Sequence, residues 1–361
     1  MKLRTNTPRT PRTPSVRSRR SVIGLDLGTS TVKAAQATAS RSGVRWSTAI
    51  IPRDEPGAPY SVQEFRRIAG ALRRVGLRGS KVALVAPRDI VRISTVDLPA
   101  GQPEALRTAT ARAELGEMHG LDPASFEIIT WLSPLPPRAT PIDRLLAVLC
   151  PHDSANALLD AAEGGGLDPV SLVPAALAIA KATPDPRLTC VLDLGWSGAS
   201  LTTVRDGRPL FDRPLGGTSL ARLCTQPIGS ATLDPAAASW IIGTGRSDHP
   251  GVSRAVGPVL TRYTEAVAAE LRASMNYITQ CLPGERPEFV LATGGPAADT
   301  DLLDLIVAQS GAAVRPWSGQ GDAHHGALAR GAARFETASM HRLANFNPDV
   351  DLGAEQAGRA A

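Results

Sequence analysis

The sequence is short of aromatics, of long apolar runs and of cysteine, and each shortage narrows what the chain can be. Phe, Trp and Tyr make up 4% of its 361 residues, so burial falls to Ala, Leu and Val within an apolar content of 43%. That supply suits a large core, and the length suits roughly two domains. No window offers the roughly 18 or more uninterrupted apolar residues of a membrane helix. The best runs are LLAVLC at 145–150 and FVLA at 289–292, so the chain reads as soluble or peripheral. Cys150, Cys190, Cys224 and Cys281 lie far apart with no C-x-x-C pair. They read as buried thiols of a reducing cytoplasm, not a disulfide frame or zinc site. Acids are missing from residues 1–20, where Lys2, Arg4, Arg9, Arg12, Arg17, Arg19 and Arg20 stand. These seven charges exceed the formal net charge of +5, so the remainder carries −2. The basic character therefore belongs to a Thr/Pro/Arg tail that reads as disordered. It lacks the apolar stretch of a secretory signal. Weak contact with an anionic surface is the most it implies, with no specific nucleic acid.

Beyond the tail, strand-like and helix-like segments alternate, which points to an α/β architecture. Strands are expected at 22–27 and 32–38 around a tight turn, then a helix at 61–77 with Val62, Phe65, Ile68, Ala69 and Leu72 on one face. KVALVAP (81–87) and IVRISTVDLP (90–99) read as strands, and PEALRTATARAELGEMHGL (103–121) as a helix. A strand at 144–150, a helix at 153–163 and another at 174–182 follow. The glycines at 164–166 read as a helix stop. Proline and acid cluster in TPDPR (183–187), the best domain boundary in the chain.

After that boundary the beginning recurs. VIGLDLGTSTVKAAQ and TCVLDLGWSGASLTTV align with Asp26 on Asp193, Gly28 on Gly195 and Ser30 on Ser197, a spacing of 167 residues. Each is an apolar strand ending in Asp-Leu-Gly, a small polar turn and a second strand, which implies two similar lobes face to face. Two such turns would aim backbone N–H groups and the hydroxyls of Thr29, Ser30, Thr31 and Ser197 into one cleft, a receptacle for polyphosphate. Gly198 and Trp196 complete the second turn. Asp26 and Asp193 would face each other there, and two carboxylates accept phosphate only with a divalent cation between them, Mg²⁺ held through water. Lys33 would meet the phosphate charge on the second strand. A third element, PEFVLATGGPAADTDLLDLIVAQSG (287–311), reads as a buried strand, a turn at Gly294, Gly295 and Pro296, and an amphipathic helix. Its glycines would let backbone approach a base or ribose closely.

These three stretches resemble the phosphate 1, phosphate 2 and adenosine motifs of the actin, sugar kinase and DnaK-type superfamily. Within it, VRISTVDLP (91–99), LLAVLCPHDSANALLDAAEGGGLDPVSLVPAALAIAKA (145–182) and VRDGRPLFDRPLGG (204–217) resemble the PilM family of type IV pilus assembly proteins, relatives of the division protein FtsA. The likeness spans residues 21 to about 348. It implies an actin-like ATPase fold, with two ribonuclease H-like lobes around a nucleotide cleft. Residues 21–185 would form the first lobe, with an inserted subdomain at about 56–150. Residues 186–345 would form the second, with a C-terminal helix returning to the first, and 346–361 a disordered tail. It further implies ATP and Mg²⁺ bound by Asp26, Gly28, Thr29, Ser30, Thr31, Lys33, Asp193, Gly195, Trp196, Ser197, Gly198, Gly217, Gly294, Gly295 and Pro296. The implied role is a cytoplasmic scaffold that is peripheral at the inner membrane. It would dock the N-terminal peptide of a bitopic, PilN-like partner, with homo-oligomers an open option.

The sequence departs from that pattern in two places. Val173 falls where hydrolysing relatives carry a Glu or Gln that orients water, and valine cannot activate a nucleophile. Turnover should be slow or absent. At 234–246, Ser239 and Ile242 fall near the positions of a ribose-binding Glu and Lys. An active ATPase or small-molecule kinase is the alternative; its best base would be Asp97. A division-type tether would need an apolar amphipathic C-terminus, whereas 348–361 is small and polar. His324 and His325 lack a companion ligand set, and His152, Asp153 and Ser154 are sequence neighbours that cannot form a relay.

Overall fold

A computed structural model describes residues 19–40, 43–136, 141–183, 185–225, 250–317 and 323–338. The first sheet has the order β3-β2-β1-β4-β8. It comprises β1 (Arg19–Leu27), β2 (Thr31–Ser40), β3 (Gly43–Pro52), β4 (Lys81–Val85) and β8 (Asp168–Val173). The first three strands form an antiparallel meander, while β4 and β8 run parallel to β1. The second sheet, β11-β10-β9-β12-β13, repeats that order and those directions. Its strands are β9 (Thr189–Leu194), β10 (Ala199–Arg205), β11 (Arg208–Leu215), β12 (Val290–Gly294) and β13 (Val314–Pro316). The duplication legible in sequence is thus a duplication of topology.

Strand alternation decides what each sheet shows its partner. On β1 the odd positions Ile23, Leu25 and Leu27 join Phe65, Ile68 and Leu72 of α1 (Val62–Arg74) and Leu158 of α3 (His152–Gly164) in an outer core. On β9, Cys190, Leu192 and Leu194 join α5 (Leu220–Thr225), α6 (Pro250–Cys281) and α7 (Thr300–Ser310) in the matching outer core. The opposite faces meet a central seam built from α4 (Ala175–Ala182) and α8 (Ala323–Ala338), with Ala83, Val85, Val173, Val191 and Val204. Asp26 and Asp193 share parity with the inward residues Gly24 and Val191, so both carboxylates face the middle of the molecule.

Close approach fixes α8 in that seam. A Cβ on Gly24 would lie 1.8 Å from the carbonyl oxygen of Ala329, and one on Gly331 would lie 1.7 Å from that of Ala178. Only glycine lets the helix touch β1 and α4 at backbone distance.

A third, antiparallel sheet, β5-β7-β6, comprises β5 (Arg92–Pro99), β6 (Phe126–Ser133) and β7 (Ile142–Pro151). It packs Val96, Leu98, Phe126 and Leu149 against Ala111 and Leu115 of α2 (Glu104–His119). Separate structure therefore begins at Arg92 and not at about residue 56, because α1 and β4 build the first lobe. This small sheet leans on β11 and on α6, where Arg144 Nη1 donates to Tyr277 Oη at 3.2 Å. Arg19 and Arg20 are paired with Ala39 and Thr38 as the start of β1, so the expected tail is shorter by two residues. The rest of that tail, residues 1–18, and the one at 346–361 lie outside the described residues. Among the described residues no helix is long and apolar enough to cross a membrane. No disulfide joins the four cysteines, and burial pushes the Cys190 thiol up to about 12.

Candidate functional site: two hairpin turns facing one cluster of charge

The turn after β1 is closed at Gly28, where a Cβ would meet the carbonyl oxygen of Thr31 at 2.6 Å. The turn after β9 is closed the same way. A Cβ on Gly195 would lie 2.7 Å from the carbonyl oxygen of Gly198, which accepts from Gly195 N–H at 3.1 Å. Neither glycine has a positive φ. The reason for glycine is therefore room beside a carbonyl and not left-handed backbone. Gly294 does need left-handed backbone. Its φ is 97°, and a Cβ there would lie 2.1 Å from the carbonyl oxygen of Leu194. It presses the end of β12 against the strand that carries Asp193, and Gly295 and the buried Pro296 follow in a single 3-10 turn at Pro296–Ala298. The third motif thus ends beside the second.

The first turn is gripped from behind. Tyr60 Oη donates to the Gly28 carbonyl at 2.7 Å, Gly57 N–H to that of Thr29 at 3.0 Å, and Arg53 N–H to that of Ser30 at 3.0 Å. Arg53 also donates through Nη1 to the Thr29 carbonyl at 3.4 Å and lies over the Tyr60 ring, 3.9 Å from its centroid. Every peptide here is trans. Three carbonyls turned toward residues 53–60 therefore send the N–H groups of Thr29, Ser30 and Thr31 the opposite way. The second turn is pinned by Thr218, whose Oγ1 accepts from Ala199 N–H at 2.8 Å and donates to the Leu215 carbonyl at 2.7 Å. Gly217, with φ 69°, precedes it. Trp196 packs partly against the second lobe's core and Ser197 is exposed. Nothing in the sequence marked Arg53, Tyr60 or Thr218.

Register places the charges. Asp26 stands opposite Lys33, and Asp193 opposite Ser200. Lys33 Nζ lies 3.0 Å from Asp26 Oδ2, with both side chains only 12% exposed. Burial alone would lower the lysine pKa. Asp26 and Asp193 outweigh it, together with the hydrogen bond to Asp26, and raise it. One ammonium thus serves carboxylates from both lobes. Among the described residues nothing donates a hydrogen bond to Asp193, and burial lifts its carboxyl above the usual range. Lys33 opposes that shift, Asp26 adds to it, Arg88 opposes it and Asp212 adds to it. The Tyr263 phenol, fully buried and without a hydrogen-bond partner among the described residues, is pushed up by burial and by Asp193.

Other sequence candidates fall away from this cluster. Val173 ends β8 with its side chain in the central seam. Asp97 sits on the small sheet, where its carboxylate takes two hydrogen bonds of 2.5 Å from Arg144. His152 meets Glu127 at 3.2 Å. Ser239, Ile242 and the side chains of His324 and His325 lie outside the described residues. No group of metal-ligating residues of three or more occurs among the described residues, so two carboxylates are the most this cleft offers a cation directly.

Two lobes of matching topology, joined by a helical seam and facing each other through strand-end aspartates, define the actin-like ATPase fold. The chain is similar over 87% of its length to the PilM–PilN type IV pilus biogenesis complex, at a TM-score of 0.62 and 21% identity, and covers 97% of that chain. It is also similar to the ethanolamine utilization protein EutJ from Carboxydothermus hydrogenoformans. There the TM-score is 0.50 and the identity 17%, with 90% of this chain and 92% of that one covered. A third likeness is to a nucleotide-free diol dehydratase-reactivating factor, at 0.52 and 11%, covering 89% and 100%. No protein-family model and no curated protein sequence matches the chain.

Proposed function

We propose that the chain is an actin-like, nucleotide-binding scaffold of a type IV pilus or related secretion platform. In this reading it binds MgATP between its lobes and docks the peptide of a PilN-like membrane partner from the cytoplasmic side. The observation that carries the nucleotide part is the convergence of Asp26, Lys33 and Asp193 from two topologically equivalent hairpins on one buried cluster. The likeness in fold to the PilM–PilN complex supports the platform part.

The residues fit a magnesium-bound triphosphate. Asp26 and Asp193 bring two carboxylates to the cleft from opposite lobes against the shared Lys33, and nothing among the described residues donates a hydrogen bond to Asp193. An all-oxygen donor set with surplus negative charge suits Mg²⁺ held through water. When bound, the ion would neutralise the carboxylates and tie phosphate oxygens to both lobes. The chain's own share is to aim the N–H groups of Thr29, Ser30 and Thr31, fixed by Tyr60 and Arg53, at phosphate oxygens. Lys33 adds a point charge, and Gly294 brings backbone near the base. Val173, aliphatic and packed in the seam, holds no water, and Asp97 is committed elsewhere, so the reading favours binding over turnover.

Calorimetric titration of the whole chain with ATP tests this. Saturable binding that requires Mg²⁺ and weakens at least about tenfold in Asp193→Ala is expected. No heat at millimolar MgATP would sink the nucleotide part. The platform part stands or falls on co-purification with a short membrane protein encoded beside it.

A further inference from the structure

We propose that Arg88 is the second cation of the polyphosphate site, standing in for the lysine that the second hairpin lacks; this rests on the nucleotide reading above. The two hairpins are equivalent strand for strand, and Lys33 and Ser200 occupy the same place opposite their aspartates. The first hairpin thus carries its own cation. The second offers the inward residues Ser200 and Thr202 on β10 and Asp212 opposite Thr202 on β11, none of them basic.

The missing charge comes from the other lobe. Arg88 follows β4 by three residues, just beyond Ala86, whose N–H donates to the Val173 carbonyl at 2.9 Å. Its Nη2 donates to Ser200 Oγ and lies 3.9 Å from Asp212 Oδ1, which accepts from Thr202 Oγ1 at 2.8 Å. A guanidinium therefore sits on Ser200, the residue opposite Asp193, and acts on Asp193 through space, without the 3.0 Å contact that Lys33 makes with Asp26. Its Nη1 is buried without a hydrogen-bond partner among the described residues, so part of the donor fork is uncommitted there.

A neutral serine hydroxyl is a weak partner for a guanidinium, and a phosphate with two oxygens in the plane of the fork is a strong one. A triphosphate brings one more negative charge than a diphosphate, while Lys33 is already shared between Asp26 and Asp193. Arg88 is the cation available for that extra charge. It thereby sets preference for the triphosphate and couples the first lobe to whatever occupies the second hairpin.

Calorimetric binding of MgATP and MgADP to the whole chain, compared among wild type, Arg88→Ala and Arg88→Lys, tests this, with melting temperature without nucleotide as the check on folding. Arg88→Ala should weaken MgATP by about 10- to 100-fold and MgADP by less than about threefold, with Arg88→Lys recovering part of the loss. Equal weakening of both nucleotides, or no change in either, overturns the assignment while leaving the nucleotide reading intact. A wild type that binds neither removes that reading and the assignment with it. Should Arg88→Ala fail to fold, the ratio of the two affinities in Arg88→Lys and Arg88→Gln decides, and a ratio unchanged from wild type overturns the proposal.

Discussion

The two hairpins share a topology and differ in how they balance charge. In the first, Asp26 is answered within its own strand pair by Lys33 at 3.0 Å, and three turn carbonyls are held by residues 53–60. In the second, the equivalent of Lys33 is Ser200, Asp193 accepts no hydrogen bond from the described residues, and the nearby cations Lys33 and Arg88 both belong to the other lobe. One half is electrostatically complete and the other is a debtor. A duplicated fold can divide labour in this way: the complete half can hold its shape alone, while the incomplete half depends on closure of the cleft or on a ligand.

Removing the shared cation should break the comparison most severely. Lys33→Met leaves two inward carboxylates without their common partner, and losing one member of a buried pair costs about 3 kcal/mol or more. Urea unfolding at neutral pH should show that loss, with Ser200→Ala costing about 1 kcal/mol or less at the equivalent place. The deficit of Lys33→Met should shrink as pH falls, because Asp193 then takes up a proton and no longer needs the ammonium. The lysine's own contribution has the opposite window. Its folded pKa lies above 10.5, so its stabilisation is complete below 10.5 and is lost only as pH climbs through the folded value.

The aspartates should then respond with opposite signs. Asp26→Asn leaves the Lys33 ammonium with Asp193 alone and should cost less than the ~3 kcal/mol of losing a buried partner outright. Asp193→Asn removes a carboxylate whose surroundings disfavour its charge, and should raise stability without ligand by about 1 kcal/mol at neutral pH. Because the folded Asp193 holds its proton above its ordinary 3.8, the unfolded chain releases it first as pH rises. The wild type therefore loses stability across the window above 3.8, and Asp193→Asn should abolish that slope. Unfolding curves for both variants between acid and neutral pH check this, and two shifts of the same sign would refute the asymmetry.

How much of this was legible in the sequence follows from what is local and what is not. The D-L-G repeats, the lysine and the glycine pair are contiguous, so the two turns and their alignment could be read directly, and strand alternation then sent both aspartates inward. The strands β3, β6 and β8 carried no such signal. The segment at 43–52 mixes exposed Val44 and Ile50 with buried Ile51, an edge pattern without clean alternation. Arg88 and Tyr60 were invisible for a different reason: each acts on a residue far away in the chain, across folds that only tertiary packing brings together. One clue was present and unused, since the alignment that sets Asp26 on Asp193 also sets Lys33 on Ser200 and so announces a missing charge.

The braces behind the turns offer the smallest and finest test. Tyr60→Phe removes one donor from the carbonyl of Gly28, a half-buried residue, and should cost about 1 kcal/mol. Thr218→Val removes the acceptor of the buried Ala199 N–H, and a donor left without any partner costs more, about 2 kcal/mol. The ranking is the informative quantity. If Tyr60→Phe proves the costlier in urea unfolding, the phenol does more than satisfy one carbonyl, and the first turn depends on its brace as heavily as the second hairpin depends on the opposite lobe.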